Sequence, residues 1–242
     1  DRKRWTELAE LGLIELAADE ADGGMGGSLI DCAIVAQALG RGQAVEPWLE
    51  CGFLPTRLLA GSEHVGAVVD GSIMAAFAFA EPNHRYQMNA VSVQEKDGKL
   101  NGEKRFVLGG EVAELFIVTA ASEGRTALFA VPRDAHGVDV KPYPVTDGGM
   151  AAVLTLRDVA APAPSMADLA TVIDEARLMA AAEMAGLAQR LFDDTLDYVK
   201  TREQFGQPIG RFQVIQHRMV DVYAKVEAIQ SAVYRALLQP SA

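Results

Sequence analysis

Two long apolar rhythms separated by a polar turn constrain this chain more than any other feature. Leu169, Ile173, Ala176, Ala180, Met184, Leu187 and Leu191 recur at steps of three and four, the spacing that stacks side chains on one face of an α-helix, and predict a helix running to about Lys200. Phe212, Ile215, Met219, Val222, Val226, Ile229, Val233 and Leu237 repeat the pattern. Each helix carries an apolar stripe that must be covered, so the two are expected to pack antiparallel across the glycine-punctuated break at 206–210. The turn between them is polar. Arg202 and Gln204 end one helix, and Gln213 and Gln216 begin the next, where unsatisfied backbone N–H groups favour an anion. By pattern alone it reads either as a solvated hairpin turn or as an anion-facing loop.

Upstream the rhythm changes twice. Trp5, Leu8, Leu11 and Leu16 lie at near-helical spacing and give way to Asp22-Gly23-Gly24-Met25-Gly26-Gly27. No strand precedes that cluster and no Lys-Ser/Thr pair follows it, so it fits neither a P-loop nor a dinucleotide fingerprint and reads as a structural turn. Ser28 is placed to cap a helix through Leu39, a further helix is expected over about 47–59, and a short one after Ser62. His64 reads as an exposed helix residue. From Gly71 onward the runs shorten: 73–79, 91–94, 99–104, 115–119, 126–131, 138–140 and 152–156 are apolar or alternating and separated by turn residues such as Asp97-Gly98. Such spacing predicts an antiparallel β-sandwich or barrel. On residues alone, Phe77, Phe79 and Phe106 are core aromatics, and Lys104 and Arg105 are solvated edge residues.

A chain of 242 residues that is 50% apolar can bury a sizeable core in one or two domains. A net charge of −11 argues against nucleic acid or an anionic membrane as a general partner. Cys32 and Cys51 have neither metal-clip nor disulfide-framework spacing, which suits a reducing, cytoplasmic setting. No long apolar run marks a signal peptide or a membrane span. The first residue is Asp1 rather than Met, which implies a piece of a longer gene product.

Arg202-x-Gln204-Phe205-Gly206-x-x-Ile209-x-x-Phe212-Gln213-x-Ile215-Gln216-His217 resembles the signature that opens the C-terminal helical domain of acyl-CoA dehydrogenases. The resemblance implies that Arg202, Gln204, Phe205, Phe212, Gln213 and Ile215 bind FAD held by another protomer. Two middle stretches extend it. Phe77-Ala78-Phe79-Ala80-Glu81-Pro82 is similar to the family's Thr-Glu-Pro strand-turn, which makes Phe79 and Ala80 flavin neighbours. Asn101-Gly102-Glu103-Lys104-Arg105-Phe106-Val107-Leu108 looks like Gly-x-Lys-x-Trp-Ile-Thr-Asn, with Phe106 where a Trp shields the flavin and Leu108 where a Thr hydroxyl approaches N5. The family's Gly-x-Gly-Ser-Asp is replaced by Asn83-His84-Arg85-Tyr86-Gln87, which leaves Arg85 and Tyr86 as substitutes at the substrate. The Pro-Glu of the family's glycine turn is replaced by Ala18-Asp19-Glu20.

The implied fold is α+β multidomain: an N-terminal helical domain over 1–71, a middle β-domain over 72–162, and an incomplete antiparallel helix bundle over 163–242. The implied activity is α,β-dehydrogenation of an acyl-CoA thioester, with FAD as cofactor, no metal, and electron-transfer flavoprotein as acceptor. No catalytic base is assigned, because the chain stops before the family's His-Gly-Gly segment; Glu183 and Glu227 lie on or beside polar helix faces. The departures resemble small subunits of two-component bacterial enzymes acting on dicarboxylyl-CoA or steroid side-chain thioesters, in homo- or hetero-oligomers, dimer or tetramer. A catalytically silent partner subunit, or a related flavin oxidase or monooxygenase, stays open.

Overall fold

The computed structural model describes residues 2–84, 87, 91–146, 148–162 and 167–239, which fall into two compact units. The first comprises Asp1–Ser28 and Val45–Asp174. It starts with α1 (Arg2–Glu10) and two 3-10 turns, and resumes with a wide helical turn (Trp48–Phe53) that runs into α3 (Leu54–Leu58), then α4 (Val65–Val69). A sheet of seven strands follows: β1 (Ala75–Ala78), β2 (Gln94–Lys96), β3 (Lys99–Leu108), β4 (Leu115–Ser122), β5 (Arg125–Pro132), β6 (Val138–Pro144) and β7 (Met150–Ala160).

The sheet runs β1-β4-β2-β3-β7-β6, with β5 also on β4. β1 and β2 each run parallel to β4 and the other pairings are antiparallel, so the sheet is mixed where an antiparallel one was expected. The physical reason lies in two-sided burial. Ala76 and Ala78 of β1, with Phe116, Val118 and Ala120 of β4, enter one core; Ala75, Phe77, Leu115 and Ile117 enter another, shared with Leu58, Val65 and Val68 of the helices. Strands covered on both faces read as unbroken apolar runs, as parallel strands do. Alternation returns in β3, where Leu100, Lys104 and Val107 are buried between exposed neighbours. Asp97 and Gly98 join β2 to β3 with φ of 52° and 73°, the two left-handed residues of a tight hairpin.

The second unit comprises Leu29–Ala44 and Glu175–Ala242. It holds α2 (Leu29–Gly42), most of α5 (Leu169–Thr201), a two-residue hairpin of β8 (Glu203–Gln204) and β9 (Gln207–Pro208), a 3-10 turn, and α6 (Gln213–Leu238). The expected antiparallel pairing is present: Phe192 meets Tyr223 at 5.8 Å between ring centroids, and Gln230 Nε2 donates to Gln189 Oε1 at 2.8 Å. The expected apolar face of α5 is displaced. Of the expected residues Ala176 is buried, but Met184 and Leu191 are 62% and 54% exposed, and Met179, Ala182, Ala185 and Gly186 are buried in their place. Small residues win that face because α2 crosses there at backbone contact. A Cβ on Gly40 would lie 2.0 Å from the Glu183 carbonyl, and one on Gly186 would lie 2.0 Å from the Gln37 carbonyl. On α6, Val226 and Val233 are buried, while Val222 and Ile229 remain exposed.

Candidate functional site

In the first unit the residues expected at the flavin sit on β3 and on the stretch that continues β1. Between the pairs Lys104–Leu154 and Val107–Ala152, β3 carries one residue more than β7, a bulge at Arg105-Phe106. Phe106 takes φ +53° there, a left-handed conformation that is unusual for a bulky residue. The bulge leaves its ring 39% exposed, so the core position read for it is corrected. Arg105 N–H donates to the Ala80 carbonyl at 2.8 Å and thereby joins the two strands. Phe79 is half-buried, stacked on Phe77 with centroids 5.2 Å apart, and Leu108 is half-buried opposite Ala151. Phe79, Ala80, Phe106 and Leu108 therefore lie on neighbouring segments.

The largest departure from expectation is Lys104. It is fully buried rather than solvated: its ammonium donates to Glu81 Oε1 at 2.6 Å, Thr119 Oγ1 at 2.7 Å and the Phe79 carbonyl at 3.3 Å. Glu81, also buried, accepts the N–H groups of Ser92 at 2.6 Å and Val93 at 3.1 Å. Burial pulls the Glu81 carboxyl upward, but the bonds from Lys104, Val93 and Ser92 outweigh it and hold the group below the usual carboxylate range. Burial also lowers the Lys104 ammonium, against the pull of Glu81. The sequence carried only the strand periodicity, without the partner. Leu100, Gly102 and Lys104 share a strand face by period two, and a cation on a buried face requires an anion.

In the second unit, Arg202 ends α5, with its N–H on the Tyr198 carbonyl and its own carbonyl accepting Ile209 N–H at 2.8 Å. Among the described residues no ion pair holds its side chain. Phe205, at the hairpin tip, is 92% exposed with φ +55°, and meets Phe212 edge-on at 6.1 Å. Gln204 and Gln213 are exposed and Ile215 is half-buried. The first residues of α6 have no side-chain cap, which leaves N–H groups beside Arg202's turn open to an anion. A cleft of about 370 Å³ lies alongside, lined by Leu196, Val199, Pro208, Ile215 and Met219 together with Lys200 and Arg211. The structure thus gathers all six of these expected residues around one turn.

Arg85 and Tyr86 lie outside the described residues. Glu183, read as solvated, is half-buried and burial pushes its carboxyl up; Glu227 is exposed. Among the described residues no three His, Cys, Asp or Glu side chains gather as a metal site, and no helix is long and apolar enough to cross a membrane.

Three family descriptions match in order along the chain: acyl-CoA dehydrogenase N-terminal domain over residues 1–63, middle domain over 76–157 and C-terminal domain over 166–242. The acyl-CoA dehydrogenase IpdE2 of Mycolicibacterium smegmatis is 30% identical over 242 residues, which is all of this chain and 68% of that protein. Among solved structures, a Tcur3481-Tcur3483 steroid ACAD G363A variant superposes with a TM-score of 0.88 at 32% identity, over 98% of this chain and 68% of the other. An acyl-CoA dehydrogenase complexed with FAD from Bacillus anthracis superposes with a TM-score of 0.86 at 26% identity, over 98% of this chain and 46% of the other. The order of helices, mixed sheet and paired helices defines the class, and the chain belongs to the acyl-CoA dehydrogenase family.

Proposed function

We propose that the chain is a cytoplasmic FAD-dependent acyl-CoA dehydrogenase subunit, of the small-subunit type found in two-component bacterial enzymes, built from domains at 1–71, 72–162 and 163–242. The observation that carries this reading is the bulge of β3, which spends backbone strain to leave the Phe106 ring partly exposed next to Arg105, whose N–H is bonded to the Ala80 carbonyl. At a bulky residue such strain needs a compensating gain, and a ring held out for a cofactor is one. The steroid enzyme and the FAD complex among its structural relatives support the same reading.

Phe79, Ala80, Phe106 and Leu108 would present one apolar, partly aromatic surface to the flavin ring. Arg202, Gln204 and Gln213, with the uncapped start of α6, would meet the charged end of an FAD held by another protomer, and Phe205, Phe212 and Ile215 would cover its apolar parts. When bound, the flavin supplies the hydride acceptor for α,β-dehydrogenation of an acyl-CoA thioester, and electron-transfer flavoprotein takes the electrons. The chain's own residues exclude water from that surface and orient it. Arg85 and Tyr86 are proposed at the acyl-CoA.

One observation favours a second reading, a catalytically silent partner subunit: Leu108 is apolar and offers no hydroxyl to the flavin. Absorbance separates the two. The first reading expects a yellow chromophore that copurifies with the native assembly and bleaches on adding an acyl-CoA; a colourless assembly, or one that does not bleach, favours the second.

A further inference from the structure

Three consecutive residues, Phe79, Ala80 and Glu81, each accept a hydrogen bond from the consecutive pair Lys104 and Arg105. Lys104 Nζ reaches the Phe79 carbonyl at 3.3 Å and Glu81 Oε1 at 2.6 Å, and Arg105 N–H reaches the Ala80 carbonyl at 2.8 Å. Behind them Thr119 Oγ1 takes a third bond from Lys104 at 2.7 Å, and the carboxylate of Glu81 fixes Ser92 and Val93. β1 and β3 are not paired as strands of the ladder, although they touch and share the core of Ala76, Ala78 and Val107. These bonds are the polar ties between the stretch that continues β1 and the bulge of β3.

We propose that Lys104, Glu81 and Thr119 form a positioning clamp, which holds the Phe79-Ala80 edge against the β3 bulge and so sets the direction of the Phe106 ring. The proposal rests on the flavin reading of that edge. Its physical basis is the choice of chemistry. A buried ion pair is a weak way to gain stability, since apolar residues of similar volume are often as stable or more so. What a buried ammonium offers that a leucine does not is direction. Each of its three N–H bonds ends at a defined oxygen, two on the 79–81 stretch and one on β4. Phe106 follows Arg105 directly, so a shift of the Ala80–Arg105 bond swings the ring.

The test uses the full-length protein in its native assembly, with the double variant Glu81→Gln/Lys104→Met. It removes both charges, and the single glutamine oxygen still accepts from one of Ser92 and Val93, whose bonds go to different oxygens of the Glu81 carboxylate. Three quantities are measured: thermal unfolding, amide exchange of the peptide carrying Arg105, and FAD affinity with the shape of the flavin absorption band. The expected result is a folded protein whose unfolding temperature is little changed, with exchange at Arg105 accelerated at least tenfold, FAD bound at least tenfold more weakly, and a shifted flavin band. Unaltered exchange at Arg105 in the folded variant overturns the clamp and leaves the flavin reading standing. A wild-type assembly that takes up no FAD, while Arg105 responds as expected, overturns the flavin reading and with it the clamp's role at a cofactor. If the double variant does not fold, Thr119→Val decides. It deletes one bond without stranding a charge: a severalfold rise in Arg105 exchange supports the clamp, and wild-type exchange overturns it.

Discussion

Arg202 and Glu81 show how the same kind of group, a charge near a helix end or a strand end, leads to different predictions according to its surroundings. Arg202 is exposed at the close of α5. If it meets an anionic cofactor, its planar fork makes paired bonds that no other residue reproduces. Arg202→Ala should then weaken FAD binding by about 3 kcal/mol, roughly a hundredfold in Kd, with helicity intact. As a merely solvated charge its loss would cost under about 1 kcal/mol. Flavin absorbance per protomer after gel filtration, with circular dichroism as control, distinguishes the two. Glu81 is buried, and its carboxyl is held below its ordinary value. A group depressed in the folded state contributes stability above its unfolded pKa, and that contribution is lost as pH falls through the folded value. Stability should therefore drop on acidification below about pH 4.5, the ordinary value of the group. In Glu81→Gln this part of the acid limb should be absent, at a loss near neutral pH of about 3–5 kcal/mol from stranding Lys104. Urea midpoints measured across the acid range check both.

At the scale of elements, the helix crossing and the strand bulge were hidden from the sequence for different reasons. The α2–α5 crossing depends on what glycine lacks. In an isolated helix Gly186→Ala would gain about 1 kcal/mol from propensity. Here the added Cβ would meet the Gln37 carbonyl at 2.0 Å, a backbone atom that cannot rotate away. Sterics should win, with a net loss of about 1–3 kcal/mol, read as a lower unfolding temperature. The bulge depends on strain. Phe106→Gly relieves a left-handed φ that penalises a bulky residue by about 1–2 kcal/mol, and it removes a ring that is partly exposed. Stability should hold within about 1 kcal/mol while FAD affinity falls at least tenfold, as titration of the apo assembly would show. Equal loss of both would mean that the ring serves packing alone.

For the molecule as a whole, α6 leaves Val214, Val220, Val222, Tyr223, Ile229 and Tyr234 exposed along its length, apolar side chains that a subunit contact would cover. Sedimentation of the native protein should give at least a dimer, identical or mixed; a stable FAD-saturated monomer would sink that expectation and the role of Arg202 across a subunit boundary together. The sequence by itself determined the order of helices, strands and helices, the α5–α6 pair and the residues gathered at the Arg202 turn, because periodicity and glycine placement are local properties that survive without a partner. Only the tertiary structure decided the parallel pairings of β1 and β2 with β4, the small-residue face of α5, and the burial of Lys104 with Glu81. Each of those depends on what lies across a contact from residues distant in the chain. A lysine in a strand is written the same way whether water or a carboxylate, 23 residues away in sequence, receives its charge.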